Sequence, residues 1–581
     1  MKTVRIAICQ YNFTVGDIRG NLEKIKKGIE KSLKEESDIV VFPELSITGY
    51  PPEDLIFKPQ FIEDCQKAMK DLIKFSYDKD ILIIAGFIHK LNKKDDIYNS
   101  VAIIYKGKLY DVYNKIFLPN YGVFDEKRYF SAGNTIPVYY YRGIRFGVNI
   151  CEDIWYPTGP LHFQTLIGDA ELIINISASP FHSGKQSYRE RMYSTRAGDE
   201  SVILVNCNLV GGQDELVFDG CSTIYNENGE LIGRLKAFEE DFSVFDISTE
   251  SVFRKRLKDI RRKQEKDILK SPFIHNDIVI EESEKAKEKL KMVNFSIENL
   301  PDEIESIYKA LVLGTRDYIE KNHFQNTIVA VSGGIDSALV ATIAVDAIGK
   351  ERVKAIFLPS RFSADISRED AAILCKNLGI ELLEISIQNI FESYLALLDP
   401  VFKDAPAGVA EENLQSRIRG NIVMALSNKF GYLVLTTGNK SEMSTGYATL
   451  YGDMAGGFAV IKDVLKTTVY KLVEFRNKQS QVIPERIIKR APSAELRENQ
   501  KDSDTLPEYE ILDKIIKAYV EEDKSLEEIL EEINDKQIVR KVLLMIDSSE
   551  YKRRQAPPGI KITPRAFGRD RRMPITNGYR L

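Results

Sequence analysis

A chain of 581 residues is too long for one hydrophobic core and implies two or more domains. Its 43% hydrophobic and 29% charged residues are those of an ordinary globular protein, and a net charge of −5 argues against nucleic acid as the main partner. No apolar run approaches the ~18 residues of a membrane span, so no membrane partner is expected. The opening "MKTVRIAICQYN" reads as a strand rather than a signal peptide, which points to the cytoplasm. Six cysteines without a C-x-x-C pair, and five histidines without paired spacing, disfavour a disulfide framework and a zinc site.

From Met1 to about Glu250 short apolar runs recur: "TVRIAIC", "DIVVF", "ILIIAGFI", "SVAIIY", "IRFGVNIC", "AELIINIS", "SVILVNC" and "GCSTIY". Helical patterns such as "GNLEKIKKGIEKSLKE" separate several of them, which predicts a strand-rich α/β domain over residues 1–250. Residues 251–300 are dense in charge ("FRKRLKDIRRKQEKDILK", "EESEKAKEKLKM") and read as a solvated linker. From 301 to 581 strands and helices alternate: "TIVAV", "ALVATIAVDAIG", "VKAIFLP", "SREDAAILCKNLG", "ELLEISI". That order predicts a doubly wound parallel sheet, which binds ligands at the carboxyl ends of its strands.

Three strand ends in the first domain carry reactive groups: Glu44 after "DIVVFP", Lys115 after "KLYDVYN", and Cys151 after "IRFGVNI". A thiolate attacks an amide carbonyl, and a nearby lysine cation favours the thiolate. A glutamate takes the thiol proton and returns it to the leaving amine, and the lysine stabilises the oxyanion. Together the three resemble the Glu–Lys–Cys triad of the nitrilase (carbon–nitrogen hydrolase) superfamily, over roughly Met1–Glu250. The resemblance implies an α-β-β-α sandwich and makes Glu126 a candidate accessory acid, its role left open. Cys9, Cys65, Cys207, Cys221 and Cys375 lack such surroundings.

In the second domain Ser332-Gly333-Gly334-Ile335-Asp336-Ser337 follows an apolar run and opens a helical pattern. Glycines let backbone N–H groups approach an anion, and the helix start adds its dipole. The Walker pattern is absent, and Asp336 would repel phosphate unless Mg²⁺ lay between them. The motif resembles the PP-loop of ATP pyrophosphatases, which cleave ATP to AMP and pyrophosphate. The segments "LTTGNKSEMSTGYATLYGDMAGGFAVIKD" and "RAPSAELRENQKDSDTLPEYEILD" are similar to the NAD⁺ synthetase family, which amidates deamido-NAD⁺.

That resemblance implies ATP contacts at the loop and at Thr437, Lys462 and Ser493, and Mg²⁺ beside Asp336 and Glu442. It implies deamido-NAD⁺ contacts at Asn413, Arg417, Glu442, Tyr447, Asp453 and Lys552. In the glutamine-dependent members of that family, Tyr121, Ser179 and Lys185 match positions that hold L-glutamine. The family further implies a homo-oligomer and a shielded passage for ammonia. Another glutamine-fed PP-loop ligase, or one that modifies tRNA, is the alternative. The basic tail "YKRRQAPPGIKITPRAFGRDRR" accordingly has three readings: a solvated tail, an RNA contact, or a cover over the anionic dinucleotide.

Overall fold

The computed structural model describes residues 3–91, 95–281, 296–403, 405–406 and 408–579. The chain divides into two compact units, one of Met1–Gln213 with Val217–Pro301, the other of Asp214–Leu216 with Asp302–Leu581.

The first unit contains two large mixed sheets. One has the order β14 (Asp241–Ser248), β1 (Thr3–Gln10), β2 (Ile39–Val41), β3 (Leu82–Lys90), β4 (Ile97–Tyr105), β5 (Lys108–Asn114). The other has the order β13 (Leu231–Arg234), β12 (Thr223–Tyr225), β9 (Ile203–Asn208), β8 (Leu172–Ser177), β7 (Ile144–Ile150), β6 (Thr135–Tyr141), β15 (Ile274–Glu281). A two-stranded ribbon joins β10 (Val210–Gln213) to β11 (Leu216–Asp219).

Alternation along each strand sends one set of apolar residues inward, so Val4, Ile6 and Ile8 of the first sheet share a core with Phe146, Val148 and Ile150 of the second. Helices α1 (Ile18–Lys34) and α2 (Pro59–Phe75) pack on the outer side of the first sheet, and α3 (Pro160–Leu166) and α4 (Lys185–Asp199) on that of the second. This is the expected α-β-β-α sandwich. It sets Glu44, Lys115 and Cys151 just past the ends of β2, β5 and β7.

The stretch expected to be a linker is folded into this unit over Glu250–Glu281. It forms α5 (Glu250–Leu257), α6 (Ile260–Ile268) and β15, which pairs in parallel with β6. Its charges have partners: Arg256 donates to the carbonyls of Ser201 (3.0 Å) and Ala170 (2.7 Å). Most of the "EESEKAKEKLKM" run lies outside the described residues.

In the second unit β18 (Glu381–Glu384), β17 (Val353–Phe357), β16 (Thr327–Ala330), β19 (Leu433–Thr436) and β20 (Phe458–Ala459) form an all-parallel sheet in that order. The helices are α7 (Glu303–Lys321), α8 (Ile335–Ile348), α9 (Asp365–Leu378), α10 (Gln388–Phe402), α11 (Val409–Phe430), α12 (Lys440–Thr445) and α13 (Lys466–Gln479), followed by the short α14 (Glu485–Lys489). Helices α10 and α11 share a core with Ile328, Ile356 and Val434. A satellite core gathers α15 (Tyr509–Ile516), α16 (Leu526–Glu532), α17 (Lys536–Ser548) and Phe567, and α18 (Glu550–Arg553) follows. The strand order reverses between β16 and β19, so the loop after β16 opens at a switch point of the sheet.

Candidate functional sites

In the first unit Lys115 is fully buried, and its ammonium lies 2.7 Å from Glu44 Oε1 and 2.8 Å from Glu126 Oε1. Glu44 also accepts from Asn99 Nδ2 (2.7 Å) and the Ala178 N–H (2.8 Å), and Glu126 accepts from the Tyr50 hydroxyl (2.8 Å). Burial works against the Lys115 cation, but Glu126 and Glu44 more than offset it and hold its pKa well above the ordinary value. Burial raises Glu126 to about 7, against the pull of Lys115 and with the push of Glu44.

Cys151 begins a 3₁₀ turn (Cys151–Ile154) with φ +41°, a left-handed conformation uncommon outside glycine. Burial and then the Glu44 charge push its thiol well above the ordinary value, with Lys115 acting in the opposite sense. The Cys151 side chain is therefore held as a thiol, with Glu44 within its electrostatic reach. The structure thus gathers the three sequence-predicted residues and Glu126 into one buried cluster.

Around this cluster, the exposed Tyr121 donates its hydroxyl to Glu152 (2.9 and 3.1 Å), and Lys185, at the start of α4, acts electrostatically on the same carboxylate. Ser179 is buried, its N–H donating to Asn208 Oδ1 (2.9 Å). Sequence reasoning missed Asn99, Tyr50, Glu152 and Asp153. The only signal was the acidic pair directly after Cys151.

In the second unit Gly333 has φ +81°, and a Cβ there would lie 2.5 Å from the Ser367 carbonyl oxygen, so only glycine fits. Ser337 Oγ accepts from the Ser332 N–H (3.1 Å) and donates to the Gly334 carbonyl (3.0 Å), closing the loop on the first turn of α8. Ile335 is the first residue of that helix. Ser493 shapes a neighbouring loop by donating to Gln500 O (2.6 Å) and accepting from the Glu495 N–H (3.2 Å), while Glu495 accepts from Ser367 (2.7 Å). Thr437 follows β19, half-buried.

Asp336 accepts from Asn439 Nδ2 (3.0 Å) and pairs with Lys466, whose ammonium is also 3.9 Å from Glu442. Burial, then the Asp336 charge, raises Glu442 to about 8. Asp502, held by the Tyr509 hydroxyl at 2.8 Å, adds a third acid within electrostatic reach of Lys466. Among the described residues no group of three or more His, Cys, Asp and Glu side chains forms a ready metal cage. Asp336 and Glu442 already share a cation in Lys466, and their hard oxygen donors are of the kind that suits a divalent ion.

The residues expected at the dinucleotide surround residues 446–453. Thr449 donates its hydroxyl to Asn413 (2.7 Å) and its N–H to Asp453 (2.6 Å). Arg417 donates to Leu450 O (3.2 Å), and Lys552 to Gly446 O (2.7 Å) and Ala448 O (3.0 Å). The Tyr447 hydroxyl reaches Asp502 (3.4 Å). Burial raises Asp453 to about 6.

Two placements add to the expectations. The lysine facing the Asp336 carboxylate is Lys466, whereas Lys462 directs its ammonium to Pro557 O (2.8 Å). The basic tail is neither solvated nor an open basic surface over its length. Arg553 is buried against Glu550 (2.9 Å), Lys561 pairs with Asp570 (2.6 Å), and Arg565 pairs with Asp523.

Two sequence families divide the chain the same way. Carbon-nitrogen hydrolase matches residues 5–256, and NAD synthase matches residues 307–556. The class is therefore a nitrilase-type hydrolase joined to a PP-loop synthase. Similar along nearly their whole length are glutamine-dependent NAD(+) synthetases of Aquifex aeolicus (47% identical, 99% of this chain and 100% of the relative) and Thermotoga maritima (46%, 100% of each). A solved glutamine-dependent NAD+ synthetase of Acinetobacter baumannii, in complex with ADP, is 40% identical with a TM-score of 0.74 and 99% of each chain covered. The chain belongs to the glutamine-dependent NAD(+) synthetase family.

Proposed function

We propose that this chain amidates deamido-NAD⁺ to NAD⁺ at the expense of ATP, with ammonia drawn from L-glutamine. The observation that carries the reading is the coexistence, in one chain of that family, of a buried Lys115–Glu44–Cys151 cluster and a Ser332–Ser337 loop with an acidic pair.

In the first unit Glu44 takes the Cys151 proton as sulfur attacks the glutamine carboxamide carbon. Lys115 stabilises the oxyanion and, held at 2.7 Å from Glu44, keeps the base in place. Collapse of the tetrahedral species expels ammonia with the proton from Glu44, and water activated by the same carboxylate releases glutamate from the thioester. Glu126 fixes Lys115 from its other side as the accessory acid. Tyr121, Ser179 and Lys185 serve the glutamine backbone groups.

In the second unit the nicotinate carboxylate attacks the α-phosphate of ATP to give an adenylate and pyrophosphate, and ammonia then displaces AMP. Residues 332–337 cradle the phosphates with backbone N–H groups and the start of α8. Asp336 and Glu442 would hold Mg²⁺, which supplies charge neutralisation to the phosphates when bound. Thr437, Lys462 and Ser493 frame the ATP, and Lys466, paired with Asp336, adds a second cation beside them. Asn413, Arg417, Tyr447, Asp453 and Lys552 shape the deamido-NAD⁺ site. A homo-oligomer in the cytoplasm belongs to the same reading and rests on the family resemblance.

The test is NAD⁺ measured from purified protein with ATP, Mg²⁺, deamido-NAD⁺ and either glutamine or ammonium. Formation from both nitrogen sources is expected. No product with either one overturns the reading.

A further inference from the structure

Asp153 has no part in the chemistry above, yet its carboxylate is fully buried and fully used. Its Oδ1 accepts the backbone N–H groups of Ile116 (3.1 Å) and Phe117 (2.8 Å), the two residues directly after Lys115. Its Oδ2 accepts the Ile150 N–H (3.1 Å), directly before Cys151, and the hydroxyl of the buried Tyr113 (2.7 Å). One side chain thus binds the backbone on the far side of Lys115 and on the near side of Cys151.

Both segments leave regular structure where this happens. Strand β5 ends at Asn114, β7 ends at Ile150, and Cys151, the next residue, takes its positive φ. The Lys115 N–H still donates to Asn99 O of β4 (2.9 Å), but β5 and β7 belong to different sheets, so no ladder ties the lysine to the nucleophile turn. A carboxylate suits the task because all four groups facing it are donors. A serine has too few lone pairs, and an amide would turn an NH₂ toward donors.

We infer that Asp153 is a positioning residue for glutamine hydrolysis: it sets Cys151 against Lys115 by stapling the β5 exit to the nucleophile turn. The burial that raises its pKa to about 6, opposed by its own donors, marks a group kept at an electrostatic cost. The inference rests on the assignment of Cys151 as the glutaminase nucleophile.

Asp153→Asn separates this role from simple packing. Its NH₂ is best tolerated on the Oδ2 side, where the Tyr113 oxygen can accept, so the Ile116 and Phe117 bonds survive and the Ile150 N–H loses its acceptor. The expected result is a fall in kcat for glutamine hydrolysis of about 10²-fold, the scale of a small misplacement of reacting groups, with KM nearly unchanged. Iodoacetamide labelling of the Cys151 peptide, read by mass spectrometry, should slow in parallel, and ammonium-driven NAD⁺ formation should stay at the wild-type rate. Tyr113→Phe removes one bond from the same oxygen and should lower kcat by roughly fivefold.

A wild-type kcat and labelling rate in D153N, or a change confined to KM, overturns the inference. So does equal loss of ammonium-driven synthesis. If D153N does not fold, Y113F decides, and an unchanged kcat there overturns it. Absence of glutaminase activity in the wild-type protein, or no loss on removing Cys151, would instead strike the underlying assignment.

Discussion

Each unit places a buried lysine between two carboxylates, and the two arrangements differ in how tightly they are closed. In the first, Lys115, Glu44 and Glu126 are sealed from solvent, at 2.7 and 2.8 Å, with Asn99, Tyr50 and the Ala178 N–H filling the remaining bonds. In the second, Lys466 pairs closely with Asp336 but lies 3.9 Å from the half-buried Glu442, with Asp502 adding further negative charge. A closed cluster suits a reaction in which one proton shuttles among fixed groups. An acid-rich, partly open one suits a site that must admit a polyphosphate and a cation together.

The comparison breaks most sharply at the nucleophile. If Cys151 serves only to release ammonia, Cys151→Ala lowers glutamine-driven NAD⁺ formation by about 10⁴-fold or more. Ammonium-driven synthesis should persist in C151A, and improve at mildly alkaline pH as the neutral ammonia fraction rises. Loss of both activities in a protein with an unchanged thermal melt would contradict the division of labour. Asp336→Asn makes the opposite cut: NAD⁺ formation falls by about 10³-fold with either nitrogen source, while glutamine hydrolysis stays measurable. Near-normal synthesis by D336N would remove this carboxylate from the mechanism.

Lys115→Met tests how closed the first cluster must be. Removing the cation leaves Glu44 and Glu126 facing each other without their common partner. Glutamine hydrolysis should fall by about 10²-fold, the scale of one oxyanion donor. Lys115→Arg should not restore it, because a planar guanidinium does not fit a pocket built for a point charge. Normal hydrolysis by K115M would show that Lys115 is structural.

The same contrast explains what the sequence disclosed. Glu44 and Cys151 stood out as candidates because each follows an apolar strand, whereas Lys115 follows the half-exposed "KLYDVYN" and was reached through the resemblance to the triad. The doubly wound sheet was readable from its alternation. Strand β15 was not, because it is an edge strand with half of its residues exposed, and "IHNDIVIE" carries the polarity of a linker. Lys462 and Lys466 stand four residues apart in "IKDVLKTT", and only the start of α13 at Lys466 decides which one meets Asp336. Glu152 and Asp153 are adjacent acids, and the 3₁₀ turn alone sends one to Tyr121 and the other to the backbone beside Lys115. The basic tail kept three readings because its partners, Asp523 and Glu550 among them, are set by tertiary packing.

The smallest effect concerns the proton that the closed cluster retains. Two carboxylates face one ammonium, and burial leaves Glu126 with a pKa of about 7 against an ordinary 4.5, Lys115 lowering it and Glu44 raising it. The folded protein therefore holds this proton more tightly than the unfolded chain does. The stabilisation from Glu126 is complete below about pH 4.5 and is lost as pH rises through about 7. Glu126→Gln removes the titration while keeping a group that accepts from Tyr50. The difference in Tm between pH 5 and pH 8 should accordingly shrink in E126Q by about 2 °C. Calorimetry of both proteins at the two pH values checks it. An unchanged difference would mean that Glu126 is ionised throughout, and that the first site, like the second, carries its excess negative charge openly.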